Sequence, residues 1–139
     1  MNNCIDNVEE MYFYKCEICG NVIIKLHNSG ITPQCCSRTM LRLTSSDHDG
    51  ALEKHLPAYT CDGKKLNITV GSTPHPMEED HYIEWILVQT NKGFHVKFLS
   101  PSDVPEAVFR FCMDERVEYI YSYCNVHGLW KVCALEDTN

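Results

Sequence analysis

No apolar run in this 139-residue chain approaches the ~20 residues needed to span a bilayer. Nothing at Met1-Asn2-Asn3-Cys4-Ile5-Asp6 has the basic start and apolar stretch of an export signal, so a cytoplasmic location is expected. Basic charge is also scarce. Twelve Lys and Arg residues face nineteen Asp and Glu, for a net charge of −7. That balance argues against a nucleic-acid partner, whose phosphates select basic patches. Helical periodicity is missing over any window of about 11 residues, apart from a possible turn near residues 104–107. There is no internal repeat and no low-complexity tract. What these absences leave is a globular, strand-rich chain with neither a membrane nor a nucleic acid as its expected partner.

Cysteine and histidine, by contrast, are abundant: nine and seven residues respectively. An odd cysteine count without an export signal does not suit a disulfide framework. In a reducing compartment clustered cysteines are better read as metal ligands.

Two segments are predicted, residues 1–44 and 45–139. The first carries Cys16-Glu17-Ile18-Cys19 and Cys35-Cys36 around a short strand, Val22-Ile23-Ile24-Lys25-Leu26, and a turn at Asn28-Ser29-Gly30. So short a segment buries too little apolar surface to fold without a staple, and a metal is a common one. The polar stretch Thr44-Ser45-Ser46-Asp47-His48-Asp49-Gly50 reads as a linker. Beyond it, strands are predicted at 66–70, 81–89, 94–99, 107–112, 117–123 and 129–134, with a hairpin turn at Thr90-Asn91-Lys92-Gly93. Short strands at regular spacing point to an antiparallel sandwich or barrel.

Four thiols form the first candidate centre. Cys16 and Cys19 share one tight turn, and Cys35 and Cys36 can complete a tetrahedral sulfur site suited to zinc or to a single iron. Adjacent residues must splay their side chains to share an ion, so a distorted tetrahedron is expected. A structural zinc site and a redox disulfide pair remain open at this point. Tyr12-Phe13-Tyr14 is expected to pack over the site.

The second candidate centre is spread over the larger segment. His55 lies in Glu53-Lys54-His55-Leu56-Pro57, His75 in a loop stiffened by Pro74 and Pro76, and His81 at the start of a strand. Cys124 and His127 form a Cys-x2-His turn between two strands. A sandwich gathers such loops at one end, so ligands distant in sequence can converge. Imidazoles suit iron, copper, zinc or nickel, and one added thiolate favours redox iron or copper. A blue-copper site is disfavoured, because no methionine follows Cys124 at the usual spacing. Four nitrogens and one sulfur leave an octahedral ion one open position, as a catalytic site requires.

These motifs resemble desulfoferrodoxin, the family of two-iron superoxide reductases, over nearly the whole chain. The resemblance rests on Tyr14-Lys15-Cys16-Glu17-Ile18-Cys19-Gly20, Cys35-Cys36, Glu53-Lys54-His55, Pro74-His75-Pro76-Met77, His81-Tyr82-Ile83-Glu84-Trp85 and Tyr123-Cys124-Asn125-Val126-His127-Gly128-Leu129-Trp130. It implies a mostly β protein, with a small desulforedoxin-like or rubredoxin-like metal domain followed by an immunoglobulin-like antiparallel sandwich. It further implies two Fe ions per chain, one on Cys16, Cys19, Cys35 and Cys36. The other would lie in an equatorial plane of His55, His75, His81 and His127, with Cys124 axial. The implied activity is one-electron reduction of superoxide to hydrogen peroxide, with a rubredoxin-like donor and a homodimeric assembly.

Glu53 would be a reversible sixth ligand of the oxidised iron. Lys54 would locally offset the acidic charge of the chain and draw in the anionic substrate. Cys112 and Cys133 read as small core residues, Cys61 as exposed, and Trp85 and Trp130 either as walls of the second centre or as ordinary core packing. His27, His48 and His95 have no place in either. A pure electron carrier and a zinc-bearing structural module are the rival readings; the open coordination position speaks against the first.

Overall fold

The computed structural model describes residues 8–45, 55–71 and 75–134. It divides into two compact units, Glu9–Thr44 and a larger one holding the described residues from Ser45 onward. Among the described residues every named element in both is a β-strand, and all the pairing is antiparallel.

The small unit has five strands: β1 (Tyr12–Lys15), β2 (Val22–Lys25), β3 (Gln34–Cys35), β4 (Arg38–Thr39) and β5 (Leu41–Leu43). β1 is the centre of a three-stranded sheet, ordered β2-β1-β5, and β3 pairs with β4 as a separate hairpin. Alternation along β1 divides its aromatics between two faces. Tyr12 and Tyr14 pack with Cys16, Cys35 and Met40, whereas Phe13 is buried outside that cluster. Two of the three aromatics expected over the thiols therefore lie there.

The larger unit is a sandwich. One sheet holds β6 (Pro57–Asp62), β7 (Lys65–Val70) and β10 (Glu106–Arg110) in the order β10-β7-β6. The other holds β8 (Ile83–Thr90), β9 (Gly93–Phe98), β11 (Val117–Cys124) and β12 (Gly128–Cys133) in the order β12-β11-β8-β9. Leu66, Ile68 and Val70 of β7 meet Ile86 and Val88 of β8 and Ile120 and Cys124 of β11 in one buried cluster. The alternating pattern Leu66-Asn67-Ile68-Thr69-Val70 thus turns its apolar side inward, as an immunoglobulin-like sandwich requires.

The hairpin at 90–93 forms as predicted, joining β8 to β9. The turn expected near 104–107 is not helical; β10 begins at Glu106. Cys112 is exposed rather than in the core, because the chain turns there, with the Glu115 N–H donating to the Cys112 carbonyl at 3.1 Å. Cys133 is half-buried at the end of β12 and disulfide-bonded. Cys61 is exposed, as expected. Among the described residues no helix is long and apolar enough to cross a membrane.

Candidate metal centres

In the small unit, Cys16, Cys19, Cys35 and Cys36 bring their sulfurs within 4.8 Å of one another. Cys16 ends the strand-to-turn segment that Gly20 closes. The Gly20 N–H donates to the Cys16 carbonyl at 2.9 Å, and Gly20 itself sits at φ +82°, where a β-carbon is disfavoured. The Cys19 N–H points at Cys16 Sγ across 3.5 Å. With the Ile18 amide it holds the Cys16 thiol down to about 6, against a smaller opposing effect of burial. The three neighbouring thiols have the opposite effect on Cys36, which they push up to about 12. Without a cation the cluster therefore resists complete ionisation.

The adjacent pair Cys35-Cys36 is accommodated by a tight hairpin. Cys35 pairs with Arg38, and the two loop residues Cys36 and Ser37 both have positive φ, 53° and 61°. Such loops normally carry Asn-Gly, because non-glycine residues are strained there. The turn sends the two sulfurs along different directions, 4.0 Å apart, and leaves Cys19 Sγ and Cys35 Sγ 3.6 Å from each other. Cys19 and Cys36 are exposed and Cys16 is buried.

In the sandwich, His55, His75, His81, Cys124 and His127 likewise gather their ligand atoms within 4.8 Å. His55 precedes β6, His75 follows β7, His81 precedes β8, and Cys124 and His127 flank the turn from β11 to β12. The four imidazoles close a ring. Successive centroids are 4.6 Å apart for His55–His75, 4.8 Å for His75–His81, 5.0 Å for His81–His127 and 4.7 Å for His127–His55. Each pair meets edge to face, at 68–83°. His55 and His75 are buried, His81 is half-buried and His127 is exposed, so the ring opens to water on one side.

The donors are prepared for an ion. His75 Nδ1 lies 2.7 Å from the Pro76 carbonyl, which leaves Nε2 to face the centre. Burial, reinforced by the neighbouring histidines, holds His75 down to about 4 despite that hydrogen bond, so the ring is neutral near pH 7. His75 Nε2 and His81 Nε2 are both buried without a hydrogen-bond partner. An unsatisfied buried polar atom costs about 1–3 kcal/mol, and a cation accepting both lone pairs removes that cost. His127 Nδ1 lies 3.0 Å from His55 Nε2 and 3.8 Å from Cys124 Sγ. Nitrogen and thiolate donors in this number fit iron, and the four thiols fit a second iron.

Cys124 is aimed by a β-bulge. Tyr123 pairs with Trp85 and Cys124 with Ile83, so Glu84 is the extra residue opposite the ligand. Burial is the leading influence on the Cys124 thiol and raises its pKa; amides of His127 and Val126 pull the other way. Trp130 stacks on His55 at 4.6 Å and 14°, forming the expected wall. Trp85 does not: it lies on the opposite sheet face, stacked on Tyr123 at 5.3 Å. His95 is outside both clusters, hydrogen-bonded to Glu115. Glu53, Lys54, Cys4 and His48 lie outside the described residues. Ser122 and Asn125, which the sequence did not single out, bond to the ligand-bearing segments.

Residues 47–133 match the desulfoferrodoxin family, and residues 8–43 match the desulfoferrodoxin N-terminal domain. The chain belongs to the desulfoferrodoxin family. A desulfoferrodoxin homolog of Archaeoglobus fulgidus is 42% identical over 123 residues, 88% of this chain and 97% of that protein. The desulfoferrodoxin of Nitratidesulfovibrio vulgaris is 42% identical over 121 residues, 87% of this chain and 94% of its own length. Among solved structures, the superoxide reductase from Treponema pallidum superposes with a TM-score of 0.74 at 31% identity, covering 88% of this chain and 96% of the other. The family match includes both the thiol unit and the histidine-bearing sandwich.

Proposed function

We propose that the chain is a superoxide reductase, taking superoxide, one electron and two protons to hydrogen peroxide. The observation that carries this reading is the closed ring of His55, His75, His81 and His127 beside Cys124, in a chain of the desulfoferrodoxin family. Two iron centres fit the two donor clusters. Iron held by these five residues would supply the one-electron redox chemistry that superoxide reduction needs. The four imidazoles would supply nitrogen donors, and Cys124 would supply the thiolate. The His127 N–H donates to Cys124 Sγ at 3.4 Å, steadying negative charge on sulfur. Trp130, buried and stacked on His55, keeps water from that flank. The exposed edge of His127 leaves a path for a small anion.

Residues 1–44 are assigned to the Cys4 iron domain and residues 45–139 to the catalytic domain. Exposure of Cys19 and Cys36 supports a role for the first centre in receiving electrons, with a rubredoxin-like protein as donor. Lys54, immediately before the ligand His55, supplies positive charge against the net −7 of the chain, and Glu53 serves as the exchangeable carboxylate of the oxidised centre. Homodimeric assembly is supported by edge strand β9, where Phe94 and Phe98 are exposed. The cytoplasm is the assigned compartment.

The test is superoxide consumption by the iron-loaded protein, with stoichiometric peroxide formed and no oxygen released. Oxygen release in the ratio of a dismutase would reject the assignment. Lys54→Met should lower the second-order rate with superoxide by roughly tenfold at low ionic strength, with iron retained. An unchanged rate there would reject the steering role.

A further inference from the structure

The hairpin formed by β11 and β12 carries two members of the second donor cluster, Cys124 and His127. Its other polar residues reach outward to two further members. Ser122 and Trp130 are register partners, directly opposite each other on β11 and β12. The Ser122 hydroxyl is fully buried and donates to the His55 carbonyl at 2.8 Å. Trp130 lays its indole against the imidazole of the same residue. One cross-strand pair thus grips His55 by both backbone and ring.

Asn125 acts in the same way on His81. Its Oδ1 accepts from the Tyr82 N–H at 2.9 Å, its Nδ2 donates to the Asp80 carbonyl at 3.1 Å, and its own N–H donates to the Tyr82 carbonyl at 3.2 Å. These three bonds hold the residues on either side of His81. His75, by contrast, takes its orientation from its own loop, through the Pro76 carbonyl.

We infer that Ser122, Asn125 and Trp130 are positioning residues, and that the β11–β12 hairpin is the template on which the histidine plane is assembled. Two ligands are built into it and two are fastened to it, so their mutual distances are set by a rigid sheet rather than by three separate loops. The cost is visible at Trp130, whose indole Nε1 is buried without a partner among the described residues. A phenylalanine would avoid that orphaned donor and still present an aromatic face to His55. Ligand-orienting contacts of this kind govern affinity and electronic properties of a bound metal.

The inference rests on the proposed iron centre, and the two can fail separately. In the full chain loaded with iron, release to a strong chelator is followed at the His/Cys centre, with the Cys4 centre of the same molecule as reference. The thiolate-to-iron charge-transfer band of the oxidised protein is recorded alongside. Asn125→Ala and Trp130→Leu should each weaken iron retention at the His/Cys centre by roughly 10–100-fold and move the band. Ser122→Ala should act in the same direction by about threefold to tenfold, while Trp130→Phe and Ser122→Thr should restore most of the loss. Retention and band unchanged in Asn125→Ala and Ser122→Ala overturn the inference, even if Trp130→Leu fails to fold. A lowered melting temperature with an unmoved band also overturns it, since that is what a merely structural role produces. If the unaltered chain holds no iron on its histidines, the proposed function itself falls.

Discussion

The two units use the same local device with opposite electrostatic results. In each, a cysteine is followed three residues later by a second ligand and then by a glycine: Cys16-x2-Cys19-Gly20 and Cys124-x2-His127-Gly128. The glycines sit at φ 82° and 84°, and the amide of the second ligand points at the first sulfur across 3.5 and 3.4 Å. Yet Cys16 is held well below an ordinary thiol and Cys124 above one. The difference is depth. Cys124 belongs to the core between two sheets, where losing water outweighs the two amide donors; Cys16 lies in a thin unit where the donors prevail. The same turn therefore prepares a ready thiolate in one place and, in the other, a thiol that depends on a cation to ionise.

Removing metal should give the largest contrast between the units. Among the described residues, the buried cluster beside the thiols holds three residues, Tyr14, Cys16 and Met40, and Cys16 is itself one of the four thiol ligands. In small metal domains the ion supplies on the order of 10 kcal/mol or more of apparent folding free energy. Chelation should thus collapse the amide NMR dispersion of β1, β2 and β5 while that of β7, β8 and β11 persists. Dispersed β1 and β5 resonances in the metal-free protein would break the comparison.

Next in size is the loss of one buried ligand. Cys124→Ala should empty the sandwich centre of iron and lower superoxide reduction by more than the ~10–100-fold typical of outer contacts. The Cys4 centre should keep its full iron content. Because Cys124 is small and β11 is held on both sides, the melting temperature of the sandwich should move by only a few degrees. Iron retained on the four histidines at unchanged activity would show that the thiolate is dispensable.

The sequence made the ligands legible and left their supports hidden. Ligand types at close spacing are visible in a string of letters, and alternation in Leu66-Asn67-Ile68-Thr69-Val70 identified a one-sided strand. β6 was not anticipated, because Pro57-Ala58-Tyr59-Thr60-Cys61-Asp62 has little alternation and begins with proline; it is an edge strand, where proline is tolerated. Of the two tryptophans only Trp130 walls the donor ring, whereas Trp85 packs on Tyr123. Parity would have told them apart, since the partner of Trp85, Tyr123, precedes Cys124 and so faces the other way. The grip of Ser122 and Trp130 on His55 depends on cross-strand register, which a single sequence does not state.

The smallest predicted effect sharpens the contrast in how acid reaches each unit. In the sandwich, away from the ligands, Glu115 accepts from Thr90 Oγ1 at 2.6 Å and from His95 Nε2 at 2.9 Å. Burial alone would raise its pKa, but those two hydrogen bonds and one from the Cys112 N–H outweigh it and hold the carboxyl below its ordinary 4.5. A carboxylate with a depressed folded pKa contributes stability that is fully present above its unfolded value. That stability is lost as pH falls from about 4.5 through the folded value. Glu115→Gln should therefore cost the sandwich about 1–2 kcal/mol at neutral pH and progressively less as the pH drops below that range. Denaturant melts of the metal-free protein, read from sandwich resonances at pH 7 and pH 3, measure this. A cost that stayed constant between the two pH values would show that the charge on Glu115 contributes nothing and that only its shape matters.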